Sequence, residues 1–318
     1  MHNNTRKLRR SARLLFPKTT LDPSVIDQIV EEGFCDVCVT FVEMEQMFTD
    51  QGFNLEQAEQ LAQMAQERGL TLTAFVSYMK YQHPLLAREP QRAMLVCDPL
   101  DINNRSLKTS DMLCPFQPDN KQRYLDLLGK ITKLPALREV HLNDEASLSI
   151  RNCIGCYCPH CANQFEKLTG SPPPRTCNWS DSLWITWLEN RMQSWIDVHA
   201  EFRDHIKNTL PSIAVGIKHG PRPAAMSFNP WKEAISLAHE AECFDVLALN
   251  PYHFTHIHIA DFRPHRRIVS EVTRTLVGAC LDCDSNVYPQ GFMPPGVSTP
   301  LNQTGWSVGR NRPLCTWC

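Results

Sequence analysis

Two groups of side chains in this 318-residue chain have types and spacings suited to chemistry. The first is Asn143-Asp144-Glu145, directly after the strand predicted at Leu137–Leu142. An amide beside two carboxylates suits acid catalysis, because a charged carboxylate keeps its neighbour protonated at a higher pH. Either carboxylate could equally cap the segment that follows. The second group is Cys153, Cys156, Cys158 and Cys161 in RNCIGCYCPHCANQF. Thiolates one or two residues apart can wrap one tetrahedral Zn²⁺, and a four-cysteine site is structural because it leaves no position open to substrate. The alternative is free thiols in a loop. Cys35/Cys38, Cys280/Cys283 and Cys315/Cys318 are weaker pairs. His253, His256, His258 and His265 form a further candidate metal group, though His256 and His258 alternate with apolar residues as an exposed ladder would.

The elements that must position these residues alternate between strand and helix. Strands are predicted at Arg13–Phe16, Val37–Val42, Leu72–Met79, Leu137–Leu142, Ile213–Ile217, Val246–Leu249 and Val287–Phe292. Helices are predicted from Asp22 to Gly33, Asn54 to Arg68, Asn120 to Ile131, Leu183 to Leu210, Pro230 to Glu242 and His265 to Ala279. A long polar insertion separates Met79 from Asn120. Alternation without hairpin signals implies parallel strands with right-handed crossovers. No glycine-rich phosphate fingerprint follows the first strand, which disfavours an open dinucleotide-binding sheet. The expectation is an α/β fold, a (β/α)8 TIM-type barrel with an incomplete or irregular eighth unit. Its active site would collect on the loops after the strand C-termini. Residues 1–12 read as a basic tail, 13–300 as the barrel with a cysteine-rich insertion at about 150–180, and 301–318 as an irregular segment.

In a barrel the strand ends converge on one mouth. Besides Asn143, Asp144 and Glu145, those ends carry Glu43, His219, Asn250, Tyr252, His253 and Gln290, and Asp98 is a further candidate. Trp179, Trp184, Trp187 and Trp195 are helix-spaced core or groove-lining rings, and tryptophan at a barrel mouth can stack on sugars.

Composition narrows the partners. Hydrophobic residues are 42% and charged residues 21%, enough to bury a sizeable core. A net charge of −2 gives no general pull toward nucleic acid or anionic lipid. No apolar run approaches the roughly 20 residues of a membrane span, and no signal-peptide core follows the basic start, so the chain is expected in the cytoplasm. There its 14 cysteines would be reduced thiols, some of them metal-bound. Nothing in the composition opposes a homo-oligomer.

LNDEASLSIRNCIGCYCPHCANQFEKLTG resembles the fourth-strand region of clan-A glycoside hydrolases, particularly the family 42 β-galactosidases and their uncharacterised relatives. The resemblance implies a zinc ligand from an upstream Cys-Pro, here Cys114-Pro115. It nominates Cys114, Cys156, Cys158 and Cys161 as ligands to a structural zinc and leaves Cys153 spare. It implies hydrolysis of O-glycosidic bonds, with Glu145 as general acid, Asp144 raising its pKa and Asn143 on the sugar 2-hydroxyl. Glu43, Asp98, Tyr252 and His253 would complete a pocket for a carbohydrate. The sequence departs from the family where Asp144 separates Asn143 from Glu145, and where Gln290 stands at the nucleophile's strand end. That amide motivates an alternative, a catalytically degenerate carbohydrate-binding barrel. A metal-dependent hydrolase built on the histidines of the sixth loop is a third reading.

Overall fold

The computed structural model describes residues 11–14, 22–42, 55–80, 83–143, 147–150, 152–219, 230–249 and 284–287. Seven strands form a parallel sheet: β1 (Ser11–Leu14), β2 (Asp36–Val42), β3 (Thr71–Ser77), β6 (Leu137–His141), β9 (Ala214–His219), β10 (Val246–Leu249) and β11 (Asp284–Val287). Their spatial order is their chain order, β1-β2-β3-β6-β9-β10-β11. A doubly wound sheet reverses its order at a switch point; this one never does, as in the wall of a barrel. Among the described residues no pairing joins β11 to β1, so the described wall is an α/β parallel sheet of seven strands.

Local chemistry explains the wrapping helices. Helix α1 (Pro23–Glu31) starts where the Asp22 carboxylate accepts the Ser24 N–H at 2.9 Å, with proline in its first turn. It buries Ile26 and Ile29 and is followed by Gly33 at φ 76°. Helix α2 (Leu55–Glu67) buries Ala58, Leu61, Ala62 and Ala65, a stripe at helical spacing. Helix α4 (Pro118–Ile131) and the 28-residue α6 (Ser182–Thr209) cover the next strands. Tyr78 stacks on Tyr124 at 3.9 Å, and Phe202 meets both rings edge-on at 5.4 and 4.5 Å. Such aromatic pairs contribute about 0.5–1.5 kcal/mol each beyond their burial. No helix among the described residues is long and apolar enough to cross a membrane.

The polar insertion after β3 is ordered, and here the expectation of strands without hairpins needs correction. It contains α3 (His83–Arg88), a 3-10 turn (Pro90–Arg92), β4 (Ala93–Cys97) and β5 (Lys108–Leu113). These two strands are antiparallel and join β7 (Ser149–Ile150) and β8 (Cys153–Gly155) in a second sheet of order β5-β4-β8-β7. The signal was hidden because β4 and β8 are far apart in sequence. Gly155 allows the join, since a Cβ there would lie 2.7 Å from Met94 Sδ and 3.1 Å from Val96 Cγ1. Helix α5 (Pro159–Thr169) follows and ends at Gly170, φ 71°. The single helix expected over 230–242 is two, α7 (Pro230–Glu233) and α8 (Leu237–Cys243). Ala234, at φ 61°, marks the break. The last strand lies three residues earlier than expected, in register with β10.

Period-two alternation sorts the strand side chains. Val37, Val39, Phe41, Leu72, Ala74, Val76, Val140, Val215 and Ile217 enter the apolar core. The other face carries Asp36, Cys38, Thr73, Phe75, Glu139, His141 and Lys218, all buried. Asp36 accepts from the hydroxyls of Thr71 at 2.6 Å and Thr73 at 3.0 Å. This polar face contrasts with the branched aliphatic layers usual inside TIM barrels. Gly216 makes room for one of its members: a Cβ there would stand 2.8 Å from both the His141 ring and the Val246 carbonyl oxygen. Gly216→Ala is therefore expected to cost about 1–3 kcal/mol through overpacking, read as a lower urea midpoint. An unchanged midpoint would contradict this packing.

Candidate metal centre and strand-end site

Cys114, Cys156, Cys158 and Cys161 converge, with all four sulfurs within 4.8 Å of one another. Cys114 Sγ lies 3.6 Å from the sulfurs of both Cys158 and Cys161, and these two are 3.5 Å apart. Those separations far exceed a disulfide bond of about 2.05 Å. They come close to the edge of a tetrahedron of thiolates, about 3.8 Å for metal–sulfur bonds of about 2.3 Å. The buried cluster can thus hold a metal ion.

Each sulfur is placed by a different device. Cys114 follows β5, where its N–H donates to the Arg92 carbonyl at 3.0 Å. The buried Asn120 amide, in the first turn of α4, donates to the carbonyls of Cys114 and Arg92 at 2.9 and 3.0 Å. Cys156 follows β8, Cys158 is the N-cap of α5, and Cys161 lies in that helix's first turn. Hydrogen bonds with Cys114, foremost, and with Cys156 and Cys161 hold the Cys158 thiol far below its ordinary range. A helix N-terminus favours the same charge. Burial, first, pushes the Cys114 thiol up, and its contacts with Cys156 and Cys158 add to that. Cys153, the spare cysteine, sits in β8 opposite Ile150. The structure therefore assembles the set with Cys114 rather than the four local cysteines.

A buried cation ties this loop to α6 and α7. Arg191, only 2% exposed, donates to the carbonyls of Gly155, of Trp231 at 2.7 Å, of Leu148 at 2.9 Å and of Lys232 at 2.7 Å. Burial lowers its pKa to about 10, so it stays charged at neutral pH. It was legible only as an arginine falling on the buried stripe Trp184, Trp187, Leu188 and Trp195 of α6.

Close by, β6 ends at His141, and Leu142 and Asn143 continue buried. The Leu142 N–H donates to the Gly216 carbonyl at 2.9 Å, and the Tyr124 hydroxyl to the Leu142 carbonyl at 2.7 Å. Asn143 is thereby fixed at the C-terminal end of the sheet. Below it the Glu139 carboxylate meets His141 Nε2 at 2.5 Å, both side chains essentially inaccessible. His141 stacks on Phe75 at 4.3 Å, and Lys218 Nζ lies 4.7 Å from the same ring's centroid. The Glu139–His141 pairing was missed from sequence, although Glu139, His141 and Asn143 recur at the strand period of two.

Of the other expected site residues, His219 ends β9 in register with Leu249. Asp98 follows β4 in the antiparallel sheet, and its carboxylate accepts the Leu100 N–H at 3.0 Å. Glu43, Asp144, Glu145, Asn250, Tyr252, His253 and Gln290 lie outside the described residues, as do His256, His258 and His265.

No protein-family model matches the sequence, and no curated protein matches it. Solved structures do match. The β-galactosidase of the psychrophilic Marinomonas ef1 aligns with a TM-score of 0.66 at 8% identity, over 89% of this chain and 48% of that one. A family 42 β-galactosidase from G. stearothermophilus aligns at 0.55 and 12%, over 80% and 41%. The PgaB glycoside hydrolase domain from Bordetella bronchiseptica aligns at 0.58 and 14%, over 89% of this chain and 94% of that one. The chain shares its fold with glycoside hydrolases. It spans less than half the length of these β-galactosidases but nearly the whole of the PgaB domain.

The Arg191 contacts carry a testable cost. Arg191→Met would leave four buried carbonyls without their charged donor, each such bond contributing about 1.5–3 kcal/mol. A destabilisation above about 3 kcal/mol is expected in chemical denaturation; a loss below about 1 kcal/mol would contradict the role given to this side chain.

Proposed function

We propose that this chain is a glycoside hydrolase-like barrel that hydrolyses O-glycosidic bonds at the C-terminal end of its parallel sheet. The observation that carries the reading is the fold shared with a glycoside hydrolase domain over nearly that domain's whole length. Glu145 protonates the glycosidic oxygen as general acid. Asp144, its neighbour in sequence, raises its pKa, because two adjacent carboxylates resist joint ionisation. Asn143 hydrogen-bonds the sugar 2-hydroxyl, a contact that strengthens in an oxocarbenium-like transition state. Glu43, His219, Asn250, Tyr252, His253 and Gln290 line the pocket, and Glu43 and Asp98 are the candidates for the second carboxylate. The partner is a carbohydrate, with neither nucleic acid nor membrane involved, and the protein acts in the cytoplasm, alone or as a homo-oligomer.

The four sulfurs suit a structural zinc. Cys114, Cys156, Cys158 and Cys161 would fill its tetrahedral shell, so the ion would bind no substrate and would hold the loop after β6 against the β5 turn. The chemistry is left to the carboxylates.

One observation favours a second reading. β11 ends at Val287, and the sequence continues Tyr288-Pro289-Gln290, an amide where a retaining hydrolase needs a nucleophilic carboxylate. A binding protein on the same fold would tolerate that amide. A panel of aryl and natural glycosides separates the two. With Glu145→Gln and Asp144→Asn, kcat is expected to fall on the order of 10²–10⁴-fold for the acid and less for its neighbour. Activity unchanged in both variants would refute the assignment. A parent that binds glycans but turns none over would favour the binding protein.

A further inference from the structure

Three of the tryptophans form a cluster that neither the acid site nor the sulfur site uses. Trp179, in the turn before α6, is 57% exposed. Trp231, in α7, is partly buried, and Trp184, in the first turn of α6, is fully buried. The ring of Trp179 stands nearly perpendicular to both others, at 5.5 Å from Trp231 and 6.5 Å from Trp184. Trp184 and Trp231 are 6.1 Å apart. The cluster thus braces one ring against two others and leaves more than half of it in water.

Its frame is rigid. Asn178 Oδ1 accepts the Ser180 N–H at 3.1 Å, and the Asp181 carboxylate caps α6 by accepting the Leu183 N–H at 2.9 Å. The Cys177 N–H donates to the Pro99 carbonyl at 2.9 Å, joining this turn to the β4–β5 loop. On the other side, Arg191 holds the carbonyls of Trp231 and Lys232. Helix α7 comes after β9 and is bonded to the loop after β6, through the Leu148 N–H to the Glu233 carbonyl at 3.1 Å. The cluster is accordingly tied to the loop that follows β6.

A cation stands at the edge of the cluster. Lys232 Nζ lies 5.4 Å from the Trp231 ring centroid. Burial, first, raises the Cys153 thiol, while Lys108 and Lys232 pull it back and Asp98 adds to the rise. Burial likewise raises Cys177 against the pull of Lys232. Arg175 acts in the same sense on Cys97, which burial raises. Cations and the Asp98 carboxylate, which accepts the Leu100 N–H at 3.0 Å, thus both act on these thiols. A protein-docking face would call for a broad apolar patch. The exposed apolar surface here is one aromatic ring among charges, with Leu100 and Ile102 as aliphatics on a neighbouring loop.

We propose that Trp179 and Trp231, with Lys232, form a glycan-binding shelf beside the loop that follows β6, which seats a pyranose ring bearing an acidic group. The ring's C–H face would lie on Trp179, and its carboxylate or sulfate would meet the Lys232 ammonium group. The proposal rests on reading the chain as carbohydrate-active and adds the charge class of the sugar and a binding site distinct from the acid residues.

The test uses the full chain on an array of neutral, uronate-bearing and sulfated oligosaccharides, followed by calorimetric titration of the best binder. Acidic glycans are expected to bind in preference to neutral ones of equal length. Trp179→Ala should weaken the best binder about tenfold or more, the loss typical of removing a tryptophan anchor. Trp179→Phe should restore most of it, and Lys232→Gln should abolish the preference for acidic glycans. Trp179 is exposed, so its loss should leave the thermal midpoint close to the parent's. Binding of no glycan, or binding undiminished in Trp179→Ala, would overturn the shelf. So would concentration-dependent self-association abolished by Trp179→Ala without any glycan binding, since the patch would then be a protein interface. Glycoside turnover by a parent that binds nothing on the array would sink the shelf alone and leave the proposed activity standing.

Discussion

Four sulfurs drawn within 4.8 Å of one another impose the constraint around which the strand-end side of this molecule is arranged. Cys114 and Cys161 are 47 residues apart, and closing a loop of that length costs about 3 kcal/mol plus a constant. Four thiols alone offer little to offset that cost. A structural zinc contributes on the order of 10–16 kcal/mol, so in the proposed reading the ion decides the outcome. It would fasten the β5 turn, the β8 turn and the start of α5 at one point. The antiparallel sheet β5-β4-β8-β7 then extends from that point as a second layer.

Arg191 carries the constraint on to α6 and α7. Its guanidinium is buried among carbonyls from both sides of the β7–β8 hairpin and from α7, without a carboxylate among those four partners. A neutral residue there would fill the space but could not orient four dipoles. The polar lining formed by Asp36, Thr73, Glu139, His141 and Lys218 belongs to the same economy. An apolar interior would pack as well. A polar, hydrogen-bonded one fixes the end of β6 beneath Asn143, where the proposed acid/base site would require small tolerances.

The parallel wall was legible in the sequence because its strands are short apolar runs separated by helices with a single buried stripe. Val37–Val42 and Val246–Leu249 are the plainest cases. The antiparallel sheet was not legible: β4 and β8 are each five residues or fewer, and they pair across more than fifty intervening positions. Spacing alone favoured the four local cysteines, because Cys153 and Cys156 are three apart. Only the Cys-Pro context of Cys114 pointed to the set that the fold assembles. Arg191 and the Glu139–His141 pair escaped notice for a related reason. Burial of a polar residue depends on partners distant in sequence, and period alone does not reveal them.

The most direct test is metal content by mass spectrometry on protein purified without added zinc, alongside Cys114→Ser, Cys158→Ser and Cys153→Ser. About one zinc per chain is expected in the parent and in Cys153→Ser, and none in the other two variants. A parent without metal would contradict the account. So would a Cys114→Ser variant that keeps its zinc while Cys153→Ser loses it, since the local cysteines would then hold the ion and the tie between β5 and α5 would not exist.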